Sequence, residues 1–156
     1  MGSEKQPREL LVDTGSSWTW TKADECSSDS DSLTCMFTKE YFHPLSSTSF
    51  VDLNMKHSIK YGDNKIVEGS IVRDTFSFGP LPDANLDSSQ SREIVGDNVR
   101  FMVQYGARNS ERPFDGILGL SPRSESAGAL VVEELYNGGA IKAKQFAVLQ
   151  SPGPAF

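Results

Sequence analysis

The residues with the clearest capacity for chemistry are Asp13-Thr14-Gly15-Ser16, which directly follow the apolar run Leu10-Leu11-Val12. A carboxylate placed after a buried apolar strand is costly unless it is hydrogen-bonded. Gly15 lets backbone amides approach the Asp13 oxygens, and the hydroxyls of Thr14 and Ser16 offer donors that orient the group and tune its acidity. Such a carboxylate is equipped for general acid or base work on water. The same four residues also suit an ordinary Asx turn, and a specified four-residue string arises by chance in a chain this size less than about one time in a hundred. The string needs its surroundings to decide between the two.

Other reactive residue types point to less. Cys26 and Cys35 lie nine positions apart across the polar stretch Ser-Ser-Asp-Ser-Asp-Ser-Leu-Thr. A zinc site needs about four ligands in recognisable pairs, and His43 and His57 are wrongly spaced to complete one, so no metal is expected. A short-loop disulfide and two free thiols both remain open. Asp29 and Asp31 lack the third carboxylate, the glycine and the terminal Glu of a calcium loop and read as a solvated tip.

The elements that must position Asp13 read mostly as strands. Leu10 to Val12 stops abruptly at the Asp-Thr-Gly-Ser turn, and Trp18 and Trp20 then alternate with polar residues as in a half-buried strand. Ile59 and Tyr61 lead into Gly62-Asp63-Asn64-Lys65, after which Ile66-Val67 and Ile71-Val72 resume β-branched character, predicting a hairpin. Residues 79–98, rich in Pro, Asp, Ser and Asn, predict a surface excursion before a strand over Val99-Arg100-Phe101-Met102-Val103. One helix is expected over Ala129 to Asn137, with Val131, Val132, Leu135 and Tyr136 at helical spacing and Gly138-Gly139 as its stop. The fold class is therefore mainly β. The tail Ser151-Pro152-Gly153-Pro154 has the composition of a connector.

The 156 residues suffice for one sizeable core and are few for two full domains. With 15 Lys plus Arg against 21 Asp plus Glu, the net charge is −6, and the basic residues are scattered. That is a poor match to nucleic acid or anionic lipid. The longest aliphatic stretches, such as Ala129 to Val132, fall far short of the roughly 20 residues of a spanning helix, so no membrane segment is expected. The start Met-Gly-Ser-Glu-Lys-Gln carries no apolar segment of the kind a signal peptide needs.

The surroundings of Asp13 do decide. Leu10 through Trp20 resembles the first active-site segment of the pepsin family of aspartic endopeptidases, and three further segments match in order. Ile59-Lys60-Tyr61-Gly62-Asp63 is similar to the start of that family's flap, the hairpin that closes over substrate. Phe114 through Ser121 is similar to the segment that passes beside the catalytic loop, and Leu135 through Ile141 with Phe146 through Leu149 to the helix and returning strand that complete the first lobe. The resemblance implies a closed, barrel-like β lobe with a flap hairpin and one short helix. Residues 1–156 would form its amino-terminal lobe, without most of the first strand, the signal, the propeptide or the second lobe.

Carried over residue by residue, the resemblance makes Asp13 one of two catalytic aspartates, with Thr14, Gly15 and Ser16 as its support. Tyr61 and Gly62 belong to the flap, Trp20 matches the tryptophan set against the flap tyrosine, and Cys26 and Cys35 sit where many members carry a small disulfide loop. It implies no cofactor. The partners implied are a peptide or protein substrate with bulky apolar side chains at the scissile bond, and a second lobe supplying the other aspartate. Secreted or vacuolar/lysosomal handling is expected by family.

The chain departs from the pattern in two places. No second Asp-Thr-Gly or Asp-Ser-Gly follows Ser16, since Asp74-Thr75 runs on into Phe76 and Asp115-Gly116 belongs to the matched structural segment. Asn64 stands where the flap tip would carry glycine. Three readings follow: one lobe of an aspartic endopeptidase, inactive alone; a homodimeric protease pairing two copies of Asp13; or a non-catalytic module that holds peptides in a pepsin-like cleft.

Overall fold

The computed structural model describes residues 1–23, 40–79, 93–108 (backbone alone over 106–108), 114–122 and 130–148. Six strands follow in chain order: β1 (Leu10–Asp13), β2 (Trp20–Lys22), β3 (Val51–Lys60), β4 (Ile66–Phe78), β5 (Ile94–Arg108) and β6 (Gly116–Gly119). One short helix, α1, spans Val131–Asn137.

The strands form one mixed sheet in the order β1-β6-β2-β5-β4-β3. β3, β4 and β5 make an antiparallel meander, while β2 runs parallel to β5 and β1 parallel to β6. Among the described residues the sheet is open, with β1 and β3 as its edges, so the expected closure into a barrel is not found. The long strands β4 and β5 instead bend at register shifts between Glu68 and Gly69 and between Asp74 and Phe76.

Alternation along these strands builds two cores, one on each face. Phe101 and Val103 of β5, with Val72 and Phe76 of β4, join Phe42, Leu118 and the helix residues Val131 and Leu135. Met102 and Val67 point the other way and pack with Trp20 and Ile117, against which Trp18, Ile59, Tyr61 and Phe114 lie. Covered on both faces at its middle, β5 carries the unbroken apolar run Phe101-Met102-Val103, as central strands do. Through Ile59 and Tyr61 the hairpin between β3 and β4 belongs to this second core.

Several local expectations need correction. β5 begins at Ile94, five residues earlier than expected, because Phe78, Ser77 and Phe76 of β4 continue to pair with Ile94, Val95 and Gly96. Residues 80–92 lie outside the described residues. The strand after the Asp13 turn starts at Trp20, not at Trp18, and is fully buried between β5 and β6. β1 is not buried: Leu11 and Val12 are 44% and 50% exposed, as befits an edge. The returning strand over 146–149 is absent from the described part, since residues 145–148 have no regular structure and Phe146 and Val148 are exposed.

The helix forms where expected. Val131 and Leu135, four apart, are buried, and the turn after Asn137 is completed by Gly139 at φ +77, a left-handed conformation that favours glycine. Glu134 ties α1 to the sheet, with a carboxylate oxygen 3.2 Å from Arg73 Nη1 and the other 3.4 Å from Arg100 Nε.

Candidate active site

Asp13 is the last residue of β1, and the turn that follows folds back onto its carboxylate. The backbone N–H of Gly15 donates to Oδ1 at 2.8 Å and Ser16 Oγ donates to Oδ2 at 2.7 Å. Both oxygens are thus engaged and the group is half-buried. Of the two hydroxyls expected to help, only that of Ser16 reaches the carboxylate. Thr14 is exposed and lines a cleft of about 390 Å³ with Leu120, Ser121, Val131 and Phe146.

The turn is fixed from below by β6 and the residues after it. Leu120 N–H donates to Asp13 O at 2.8 Å and Ser121 N–H to Ser16 O at 3.0 Å. Gly119 N–H also donates to Thr19 Oγ1, 3.1 Å away. A Cβ at Gly119 would stand 2.5 Å from the carbonyl oxygen of Trp18, so only glycine permits this approach. The neighbouring Asp115 is buried, accepts Glu9 N–H through Oδ2 at 3.0 Å and, through its carbonyl, Lys22 N–H at 2.9 Å. Its role is to splice β1, β6 and β2 together.

The hairpin between β3 and β4 turns over Tyr61–Lys65. Tyr61 N–H donates to Lys65 O at 2.8 Å and Asn64 N–H to Tyr61 O at 3.0 Å. Asn64 takes φ +62, the left-handed state that asparagine tolerates, which accounts for its place at the tip. Gly62 has no positive φ and open space where a side chain would project. Trp20 Nε1 donates to Tyr61 Oη at 2.7 Å, joining the hairpin to the buried strand beyond the Asp13 turn. Cys26 and Cys35 lie outside the described residues, as do Asp29 and Asp31.

A family model described as eukaryotic aspartyl protease matches residues 1–154. The chain belongs to the eukaryotic aspartyl protease family. It is 30% identical over 148 residues to a vacuolar aspartic protease of Candida albicans, covering 94% of this chain and 32% of that protein. It is 32% identical over 153 residues to pepsin II-1 of Oryctolagus cuniculus, covering 97% and 35%, and 30% identical over 153 residues to pepsin A of Rhinolophus ferrumequinum, covering 97% and 36%. The chain spans about a third of the length of these relatives. Family membership makes the pepsin-like reading of the mainly β lobe an observation rather than an expectation.

Three features escaped the sequence reading. His57 stacks on Trp18 with ring centroids 4.3 Å apart and planes at 29°, and burial holds its imidazole below the usual histidine value. His57 and Ile59 alternate along β3, and Tyr61, just past its end, continues the same period. That alternation was the available signal. Lys22 is buried at the end of β2, where desolvation outweighs the attraction of Asp115 and lowers its pKa to about 8. Asp74, which begins no second Asp-Thr-Gly, is buried and accepts from Ser47 Oγ at 2.9 Å and from Thr75 N–H at 2.7 Å through Oδ1. These contacts are structural. Among the described residues no three His, Cys, Asp or Glu side chains converge as a metal site would need, and no helix is long and apolar enough to cross a membrane.

Proposed function

We propose that the chain is the amino-terminal lobe of a two-lobed aspartic endopeptidase and that Asp13 is one of its two catalytic aspartates. The observation that carries this reading is the Asp13 carboxylate held at both oxygens by Gly15 N–H and Ser16 Oγ, within a turn clamped to β6. The Trp20 to Tyr61 hydrogen bond supports a flap role for the hairpin.

An aspartate pair works by dividing its protonation. The ionised carboxylate takes a proton from a held water as the water oxygen attacks the peptide carbonyl carbon, and the protonated partner donates to the developing oxyanion. Collapse of the tetrahedral intermediate breaks the C–N bond, with a proton passing to the leaving amine. Like charges at close range force the two ionisations apart, so activity belongs to acidic pH and to the pair rather than to either residue. Asp13 supplies one member, and the second lobe, in the part of the relatives' length beyond this chain, supplies the other. The lobe alone is inactive. Bulky apolar residues flank the preferred scissile bond.

The test is peptide cleavage by the full two-lobed protein at acidic pH. Cleavage sensitive to pepstatin and abolished in Asp13→Asn is the expected result. Undiminished cleavage in that variant would overturn the assignment.

A further inference from the structure

We propose that His57 is a flap-positioning residue, fixing the root of the hairpin to the Asp13 segment by stacking on Trp18 while the Trp20 to Tyr61 hydrogen bond fixes its tip. The inference rests on the reading of β3 and β4 as a flap. Its basis is the stack itself, 4.3 Å between centroids, linking two elements that share no backbone pairing.

β3 needs such a tie. It is the edge of the sheet, pairs only with β4 among the described strands, and leaves most of its residues exposed. A register shift between Asp52 and Met55, with Asn54 at φ +56, loosens its start. From Met55 to Lys60 the pairing is regular, and His57 and Tyr61 are four residues apart, about 13 Å along an extended strand. Anchoring at both points sets the tilt of the hairpin, which one anchor would leave free to pivot.

Trp18 is a firm base for the stack. Its backbone is pressed against Gly119, and the next residue, Thr19, accepts Met102 N–H at its carbonyl, 3.0 Å away, and Gly119 N–H at Oγ1, 3.1 Å away. The residues around Gly119 also hold the Asp13 turn, through Leu120 N–H to Asp13 O. The same frame therefore positions the carboxylate and the hairpin root, so the distance between them is set by side-chain packing.

Hydrogen exchange in the full-length protein tests this. His57→Ala should raise exchange over residues 59–66 roughly threefold to tenfold, the range expected for loss of one aromatic stack. Amides at 71–77 and 99–103 should be unaffected. His57→Phe, which can stack, should restore most of the protection, and Trp18→Ala should reproduce the loss with no further rise in the double variant. In cleavage assays, His57→Ala should raise KM more than it lowers kcat. Unchanged protection in His57→Ala, a rise spread evenly over the sheet, or no rescue by His57→Phe would overturn the proposal. Exchange needs no catalysis, so failure of the Asp13→Asn test would leave this result standing, and the reverse.

Discussion

At the residue scale, the catalytic reading depends on a carboxylate whose two oxygens are held differently, one by a backbone amide and one by a hydroxyl. The amide cannot be removed by substitution, but the hydroxyl can. A hydrogen bond to an ionised group is worth about 1.5–3 kcal/mol, so Ser16→Ala in the two-lobed protein should lower kcat/KM by roughly tenfold or more. Its melting temperature should hardly move, because both side chains are only half-buried. Steady-state kinetics beside a thermal scan checks both parts. Thr14→Val is the control: with its side chain away from the carboxylate, it should cost less than Ser16→Ala. That Asp13 and Ser16 were legible in sequence, and Thr14 misjudged, has a simple cause. Residue type announces a donor, while only the turn's dihedral angles decide whether it reaches.

At the element scale, β6 and β2 are where tolerance is least. Gly119→Ala would drive a methyl group into the Trp18 backbone and should cost at least about 2 kcal/mol, read as a lower urea midpoint. Lys22 gives the same strands a pH signature. Its pKa falls from an ordinary 10.5 to about 8 on folding, so between those values the unfolded chain binds more protons than the folded one. The neutral form's contribution is therefore complete above pH 10.5 and is lost as pH falls through 8. Relative to Lys22→Met, the wild-type protein should gain stability from pH 8 to 10, at a slope of no more than about 1.4 kcal/mol per pH unit. Parallel denaturation curves at all three of pH 8, 9 and 10 would count against it. Strands with strong β-branched or apolar signals, such as Ile66 to Val72 and Val99 to Val103, were legible from sequence, as was the helix ending at Gly138-Gly139. The extension of β5 back to Ile94 was not, because Asp97 and Asn98 read as loop residues, yet Asn98 at φ +58 sits within a paired strand. Asp97 and Asn98 stand unpaired at the register shift opposite Asp74 to Phe76, and pairing resumes beyond it at Gly96, Val95 and Ile94.

At the scale of the molecule, the proposed two-lobed enzyme calls for a second aspartate outside this chain, and the prediction is one of size. The natural product containing the peptide from Tyr61 to Arg73 should have at least about twice the mass of this chain, in line with relatives of which it spans about a third. Intact-mass measurement checks this, and a species of 17.1 kDa would instead favour the homodimeric or binding-module readings. Sequence disclosed the family through four ordered segments, but not the openness of the sheet among the described residues, because closure depends on long-range pairing that no local pattern encodes. That openness has a practical side. β1 ends the row of described strands with Leu11 and Val12 turned outward, which is a template for sticky association between copies. Prepared by itself, the lobe should be prone to precipitate or to form soluble clumps, and a charged Val12→Lys substitution should keep it dispersed. Light scattering on both preparations would separate such colloidal behaviour from a true enzyme dimer, and would tell an experimenter whether apparent oligomers deserve a kinetic assay at all.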